Sequence, residues 1–255
     1  MAIPAADLSP LSNLTEVDAF FLSGCQSLTS VNLIPLRNAK TLHIYFLTGC
    51  SGLSELDLSP LSNVTEVGNF FLHGCTGLTD VALSGFSSVT ETHGWFLNSC
   101  SGLKTVNFSD MNNITVIGEG FMADCSLLMS IDLSPFKNVT EVGAFFMAGC
   151  GGVTSIDLEP LSNITIIAGW FLKGCRSLTT ISNLSALEGV TTIGDNFLAD
   201  CTSLNAVDFT SFRNVTSVGS SFLYGCRSHT IVTLGPLDTF ETARSALGKY
   251  VTAER

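Results

Sequence analysis

Apolar residues return along this chain on a fixed period marked by nine cysteines: Cys25, Cys50, Cys75, Cys100, Cys125, Cys150, Cys175, Cys201 and Cys226. The step is 25 residues except for one of 26 before Cys201, which places an inserted residue near Ser182–Asn183. A fixed period of this size is the signature of a solenoid. Positions are therefore numbered as slots, with Cys as slot 25; up to Cys175 the slot is the residue number modulo 25, and beyond the insertion it shifts by one. Slots 3, 6 and 8 are apolar, as in Leu28, Val31 and Leu33 or Leu53, Leu56 and Leu58. Slots 6 and 8 alternate with a polar slot 7, which predicts a half-buried strand. Slots 14 and 17 form a second apolar pair, Val64 with Val67 and Val139 with Val142, and predict a second extended segment. Proline at slot 10 and asparagine at slot 13 turn the chain between the two. Slots 21, 22 and 25 read Phe-Leu-x-x-Cys and, with the next leucine, fall at i, i+1, i+4 and i+7, which predicts a short helical turn. In that geometry slot 24 lies one turn beyond slot 20 and beside it.

Leu53 to Cys75, LSELDLSPLSNVTEVGNFFLHGC, and Leu128 to Cys150 are two clear copies of the whole unit. The pattern resembles the BspA-like, or Treponema pallidum-type, leucine-rich repeats over about residues 8 to 237. It departs from them in a slightly longer repeat. Slot 11 also holds Leu36, Leu61 or Phe86, where ordinary leucine-rich repeats carry asparagine. The resemblance implies an α/β solenoid: a right-handed arc of about nine repeats with a parallel sheet on its concave side and short helical turns elsewhere. It implies no enzyme activity, and a place on microbial or protist surfaces. The solenoid is expected over residues 1–237. It begins inside a repeat, at Asp7-Leu-Ser-Pro-Leu11, with no polar capping module before it. Solenoids protect their terminal core with caps, so this start reads as a cut from a longer protein, monomeric but open to end-to-end association. At the other end His229 replaces the slot-3 leucine. Asp238-Thr-Phe-Glu241 reads as a capping box that opens a C-terminal capping helix over 238–255, with Phe240, Ala243, Leu247, Tyr250 and Val251 on one face.

Composition narrows the function without naming it. Of 255 residues 45% are hydrophobic and 13% charged, against about 25% charged in an average domain, so the chain buries a core readily. A net charge of −11 argues against a nucleic-acid partner, which needs clustered Lys and Arg. No apolar run approaches the ~18 residues of a membrane span. Met1 to Asp7 carries neither a basic nor an apolar signal-peptide region. An extracellular or cell-surface location therefore rests on the resemblance alone, and an intracellular scaffold, or an engineered repeat array, stays open beside it.

The candidate chemistry is mostly structural. One thiol per repeat supplies no four-ligand cluster for zinc, and nine equivalent neighbours offer no natural disulfide pairing, so the cysteines read as buried core. Phe21, Phe46, Phe71, Phe96, Phe121, Phe146, Phe171, Phe197 and Phe222 fill slot 21 in every copy and predict a buried ring ladder. Gly118-Glu-Gly-Phe-Met-Ala123 matches a dinucleotide fingerprint by accident of the repeat. His43, His73, His93 and His229 form no triad or metal spacing. No cofactor and no catalytic residue is expected. Asn13, Asn63, Asn113, Asn138, Asn163 and Asn214, each two residues before a threonine, are formal glycosylation acceptors; the favoured reading is a hydrogen-bonded Asn and Thr ladder. The slot-15 threonines also raise ice binding, weakened because the second column is Asn.

Two surfaces remain for a protein or glycan partner. On the slot-5 and slot-7 strand face, Glu55, Asp57, Asp80, Asp132 and Asp157 form an acidic stripe suited to a basic partner, a carbohydrate or calcium. At slot 20, Phe20, Tyr45, Phe70, Trp95, Phe145 and Trp170 precede the core phenylalanine, while Gly120, Asn196 and Ser221 fill the other copies. Every aromatic copy has Gly or Ser at slot 24, so each ring is expected to lie over that small residue, either as packing or as a ridge offered to a ligand.

Overall fold

Each repeat makes one turn of a parallel β-solenoid of about nine turns. The computed structural model describes residues 7–227 and 230–253, and from 246 onward its backbone alone. The slot-3 substitution His229 and the apolar positions Leu247, Tyr250 and Val251 lie outside the described side chains.

Slots 16 and 17 form two-residue strands. Glu16–Val17, Thr41–Leu42 and Glu66–Val67 pair in parallel, each residue opposite its equivalent one repeat on. The same register joins Glu91–Thr92 with Val116–Ile117 and Glu141–Val142. Slot 17 points into the core, with Val17, Leu42 and Ile167 fully buried. The expected slot-5 to slot-7 strand also forms, but in separate patches. Asp80–Ala82 pairs with Thr105–Asn107, Ser155–Asp157 with Thr180–Ser182, and Ala206–Asp208 with Thr230–Thr233. Where slot 10 is proline, the corner between the two extended segments is a single 3-10 turn, as at Ser59–Leu61 and Ser134–Phe136. Proline lacks the N–H that a longer helix would need at that point and already holds the required φ.

The core repeats with the period. Slot-21 rings stack from Phe21–Phe46 at 5.5 Å to Phe146–Phe171 at 4.8 Å, tilt to 43° at Phe171–Phe197 across the inserted residue, and stack again at Phe197–Phe222 at 5.9 Å. Each thiol from Cys50 to Cys226 donates to the slot-22 carbonyl of the preceding repeat at 3.0–3.3 Å. The nine cysteines are free, and only Cys25 is less than fully buried. Cys25 is therefore expected to react with a maleimide at once in the native protein, and the other eight at the rate of unfolding. A mass ladder of labelled species populated evenly from one to nine would contradict this. Asparagine and threonine form ladders as expected, although both bond to backbone rather than to each other. Asn63, Asn113, Asn138 and Asn163 donate Nδ2 to the slot-12 carbonyl one repeat earlier, and Thr191 and Thr216 donate to the slot-15 carbonyl.

Two expectations need correction. The C-terminal helix does not fill 238–255. The Gly235–Pro236 pair makes the usual corner, a 3-10 turn through Thr239, and the α-helix runs only over Glu241–Tyr250. Val251–Ala253 then returns as a strand parallel to Thr230–Thr233, covering a sheet edge that would otherwise be unpaired. The second correction concerns slots 20 to 24, which are not helical. Slots 20, 22 and 24 all have positive φ: Phe20 at 64°, Leu22 at 50° and Gly24 at 74°, and so in every copy to Ser221, Leu223 and Gly225. Alternating left- and right-handed residues turns successive N–H groups in opposite directions along the solenoid axis. Slot-20 and slot-24 N–H groups donate forward, as Tyr45 to Asn69 O and Gly49 to His73 O, and slot-22 N–H donates backward, as Leu47 to Phe21 O. A helix would satisfy these groups within the segment; here they bond one repeat to the next.

Candidate functional site

The left-handed backbone at slot 24 explains its composition. Gly, Asp, Asn and Ser tolerate positive φ best, and slot 24 holds only Gly, Asp124, Asp200 and Ser99. The slot-20 rings do not cover it. A methyl built on Gly24 would meet nothing within 4 Å, and on Gly49, Gly74 or Gly174 only the backbone of the preceding slot-24 glycine. The expected ring-over-glycine contact is thus replaced by two parallel columns, one of small residues and one of rings.

The ring column is continuous. Phe20 and Tyr45 stack at 4.6 Å, Tyr45 and Phe70 at 4.7 Å, and Phe70 and Trp95 at 6.3 Å, with interplanar angles of 7–12°. Gly120 leaves a gap that Trp95 fills. A methyl on Gly120 would run into the Trp95 ring at Cε3, and the indole leans across to Phe145 at 5.8 Å. Phe145 and Trp170 complete the row at 4.9 Å. At this end Lys173 Nζ sits 3.9 Å over the Trp170 ring, a cation–π contact, and 3.9 Å from Asp200. At the other end Phe20 is 60% exposed and Trp170 is 37% exposed, with the intervening rings half-buried. Six steps at about 4.8 Å make the row roughly 29 Å long. Because neighbours cover the faces, solvent meets a ridge of ring edges.

A bulky residue with positive φ is unfavourable by about 1–2 kcal/mol. At slot 22 burial of Leu or Met offsets this. At slot 20 the ring stays half in solvent, and Gly120, Asn196 and Ser221 show that the backbone takes small residues there.

The acidic stripe has a different basis. Asp57, Asp132 and Asp157 each accept the N–H of the residue two positions on, at 2.8–2.9 Å. Asn32, Asn107 and Asp208 make the same bond. Slot 7 is thus the cap that starts the corner, which is why Asp and Asn interchange there. The Ser59 hydroxyl and N–H hold the Asp57 carboxyl below its usual range. Asp80 is lowered too, by the Thr105 and then the Thr79 hydroxyl. Glu55 is exposed. Among the described residues no three His, Cys, Asp or Glu side chains gather as a metal site would need, so the stripe offers calcium no such cluster.

The profile of the BspA type leucine rich repeat region matches in six copies, over residues 6–129, 40–179 and 98–230. The chain is similar in structure to a leucine-rich-repeat protein of T. pallidum, at 22% identity over 75% of this chain and 72% of that one, TM-score 0.47. It is similar also to a leucine rich cell surface protein of Faecalibacterium prausnitzii, at 18% identity over 86% and 70%, TM-score 0.46. A leucine-rich-repeat protein of Bacteroides ovatus gives 17% identity over 96% and 82%, TM-score 0.37. No curated protein matches it. Among the described residues no helix is long and apolar enough to cross a membrane. The repeat profile spans most of the sequence, and the chain belongs to the family of BspA-type leucine-rich-repeat proteins.

Proposed function

We propose that this chain is a non-enzymatic recognition module of a surface protein and that it grips a protein partner along the slot-20 aromatic ridge. The observation that carries this reading is the row of half-exposed rings kept in left-handed backbone where smaller residues fit. Aromatic side chains dominate interaction hot spots because each brings large apolar area with little rotamer freedom to lose. Edge presentation favours protein over glycan, since a sugar stacks on ring faces and the neighbours occupy those. A row of edges instead inserts between aliphatic side chains or meets the faces of a partner's rings. The acidic stripe of Glu55, Asp57, Asp80, Asp132 and Asp157 is a second face for a basic partner, with the four aspartates already engaged in turns or with threonines.

Replacing Phe70 and Phe145 by asparagine, the residue that slot 20 carries at Asn196, separates binding from folding. Phe70 loses two ring stacks and an edge contact with His73, and Phe145 one stack and a tilted contact with Trp95, at about 0.5–1.5 kcal/mol apiece, and the relief of positive φ offsets part of this. Stability is expected to change by less than about 2 kcal/mol per site, while binding to matrix and cell-surface proteins presented on an array disappears. Hits that survive in the double variant but vanish with Asp57→Asn and Asp132→Asn would move the site to the acidic face. Tryptophan emission reports the same slot, because Trp95 and Trp170 are the only two tryptophans. Red-shifted emission open to iodide is expected from Trp170.

A further inference from the structure

A cleft lies on the strand face beside the 26-residue repeat. Its inserted residue, Asn183, stands in left-handed backbone at φ 54°, between the strand Thr180–Ser182 and the 3-10 turn Leu184–Leu187. Asn183 Nδ2 donates to Asp157 Oδ1 at 2.9 Å and lies 3.5 Å from Glu159 Oε2, so the turn is tied back to the preceding repeat. The ladder is open on the forward side. Thr180–Ser182 pairs backward with Ser155–Asp157, Ala206–Asp208 pairs forward with Thr230–Thr233, and the two pairs belong to separate sheets. Asn205 N–H to Thr179 O, at 3.2 Å, bridges them. Between them lies a cleft of 440 Å³, within the roughly 300–1,000 Å³ of small-ligand sites.

Its lining has a definite chemistry. Ile181 and Ile231 supply aliphatic surface, and Asn205, Asp208, Thr210 and Ser211 supply amide, carboxylate and hydroxyls; no Lys or Arg is among the lining residues. Asp208 uses Oδ1 to cap the Thr210 N–H at 2.8 Å, which leaves Oδ2 for another donor.

We propose that this cleft binds a neutral sugar, one or two units of a glycan, at a site separate from the aromatic ridge. Sugar hydroxyls both donate and accept, and Ser, Thr and Asn answer in both senses while the free carboxylate oxygen only accepts. The aliphatic side chains suit the C–H face of a pyranose. With no cation in the lining, a phosphate or carboxylate ligand would meet only the repulsion of Asp208.

The test is an amide-resolved NMR titration of the full chain with glucose, galactose, N-acetylglucosamine, maltose, lactose and chitobiose at millimolar concentrations. At least one is expected to give saturable shifts at Ile181, Asn205 and Ile231. Asp208→Asn keeps the cap, as Asn32 and Asn107 do, but replaces the acceptor, and is expected to weaken binding about tenfold. Ala206→Trp fills the cleft from its lining and should abolish binding, while Glu66→Gln, exposed and away from the cleft, leaves it unchanged. Absence of saturable shifts with all six sugars, or shifts that persist in Ala206→Trp, would overturn the proposal.

Discussion

Alkaline solution is expected to unfold this protein cooperatively, starting near the pH at which a free thiol ionises. Seven cysteines, Cys50, Cys75, Cys100, Cys125, Cys175, Cys201 and Cys226, are held above the ordinary value of 9.0, Cys50 at about 11 and Cys226 at about 12. Burial is the largest cause in each except Cys125, where a hydrogen bond with Cys150 comes first and burial second. A thiolate in this column would lose its solvation and face its neighbours one repeat away. The folded state therefore keeps its protons while the unfolded chain releases them. The unfolded state then binds fewer protons, so stability falls as pH rises. The loss begins as the unfolded thiols titrate near 9.0 and continues until the folded thiols ionise. Each contributes between about 1 and 2 kcal/mol per pH unit across that window. Seven together approach roughly 10 kcal/mol per unit, on the scale of the whole stability of a domain. Urea midpoints followed by circular dichroism at pH 8, 9 and 10 test this, with Cys100→Ala as control: it should weaken the fold at pH 8 yet flatten the slope. A midpoint constant through pH 10 would refute the argument.

Truncating Phe121 to alanine is expected to cost about 3–5 kcal/mol, the range for a fully buried ring in a packed core. Phe121 stacks on Phe96 at 6.0 Å and Phe146 at 5.7 Å, and meets Phe136 edge-on at 5.8 Å. It thus loses partners on two sides of the axis and across the core. In a solenoid each repeat contacts only its neighbours, so a weak central repeat should divide the unfolding transition into two. The half-buried Phe21, which stacks on one described slot-21 ring, Phe46, should cost less and leave a single transition. Equal losses at the two sites would mean that the column does not transmit stability along the axis.

The repeat made much of this architecture legible. Nine cysteines on one period placed the thiols, the slot-21 rings and the two extended segments, because a side chain that recurs at one slot must stack on its own copy. The asparagine column was legible for the same reason, although its partners, the slot-12 carbonyls, were not. The helical reading of slots 20 to 24 failed for a definable reason. Phe-Leu-x-x-Cys carries helical spacing, but the N–H groups of slots 20, 22 and 24 are satisfied between repeats, where their positive φ aims them, and only those of slots 23 and 25 bond within the repeat. One sign was present in the composition of slot 24, restricted to residues that accept positive φ. The aspartates at slot 7 carry a role in the fold as well, since their alternation with Asn32 and Asn107 marks a turn cap.

What the sequence determined alone is everything that depends on counting: the period, the family, the buried columns and the aromatic residues at slot 20. Tertiary structure decided what depends on direction. It set whether those rings show faces or edges, how Trp95 crosses the gap at Gly120, and that a cleft lies on the strand face beside the repeat that carries the extra residue Asn183. The spacing of residues fixes which side chains meet in a periodic fold, but where they point follows from backbone hydrogen bonds made between repeats, and those form only when the turns are stacked.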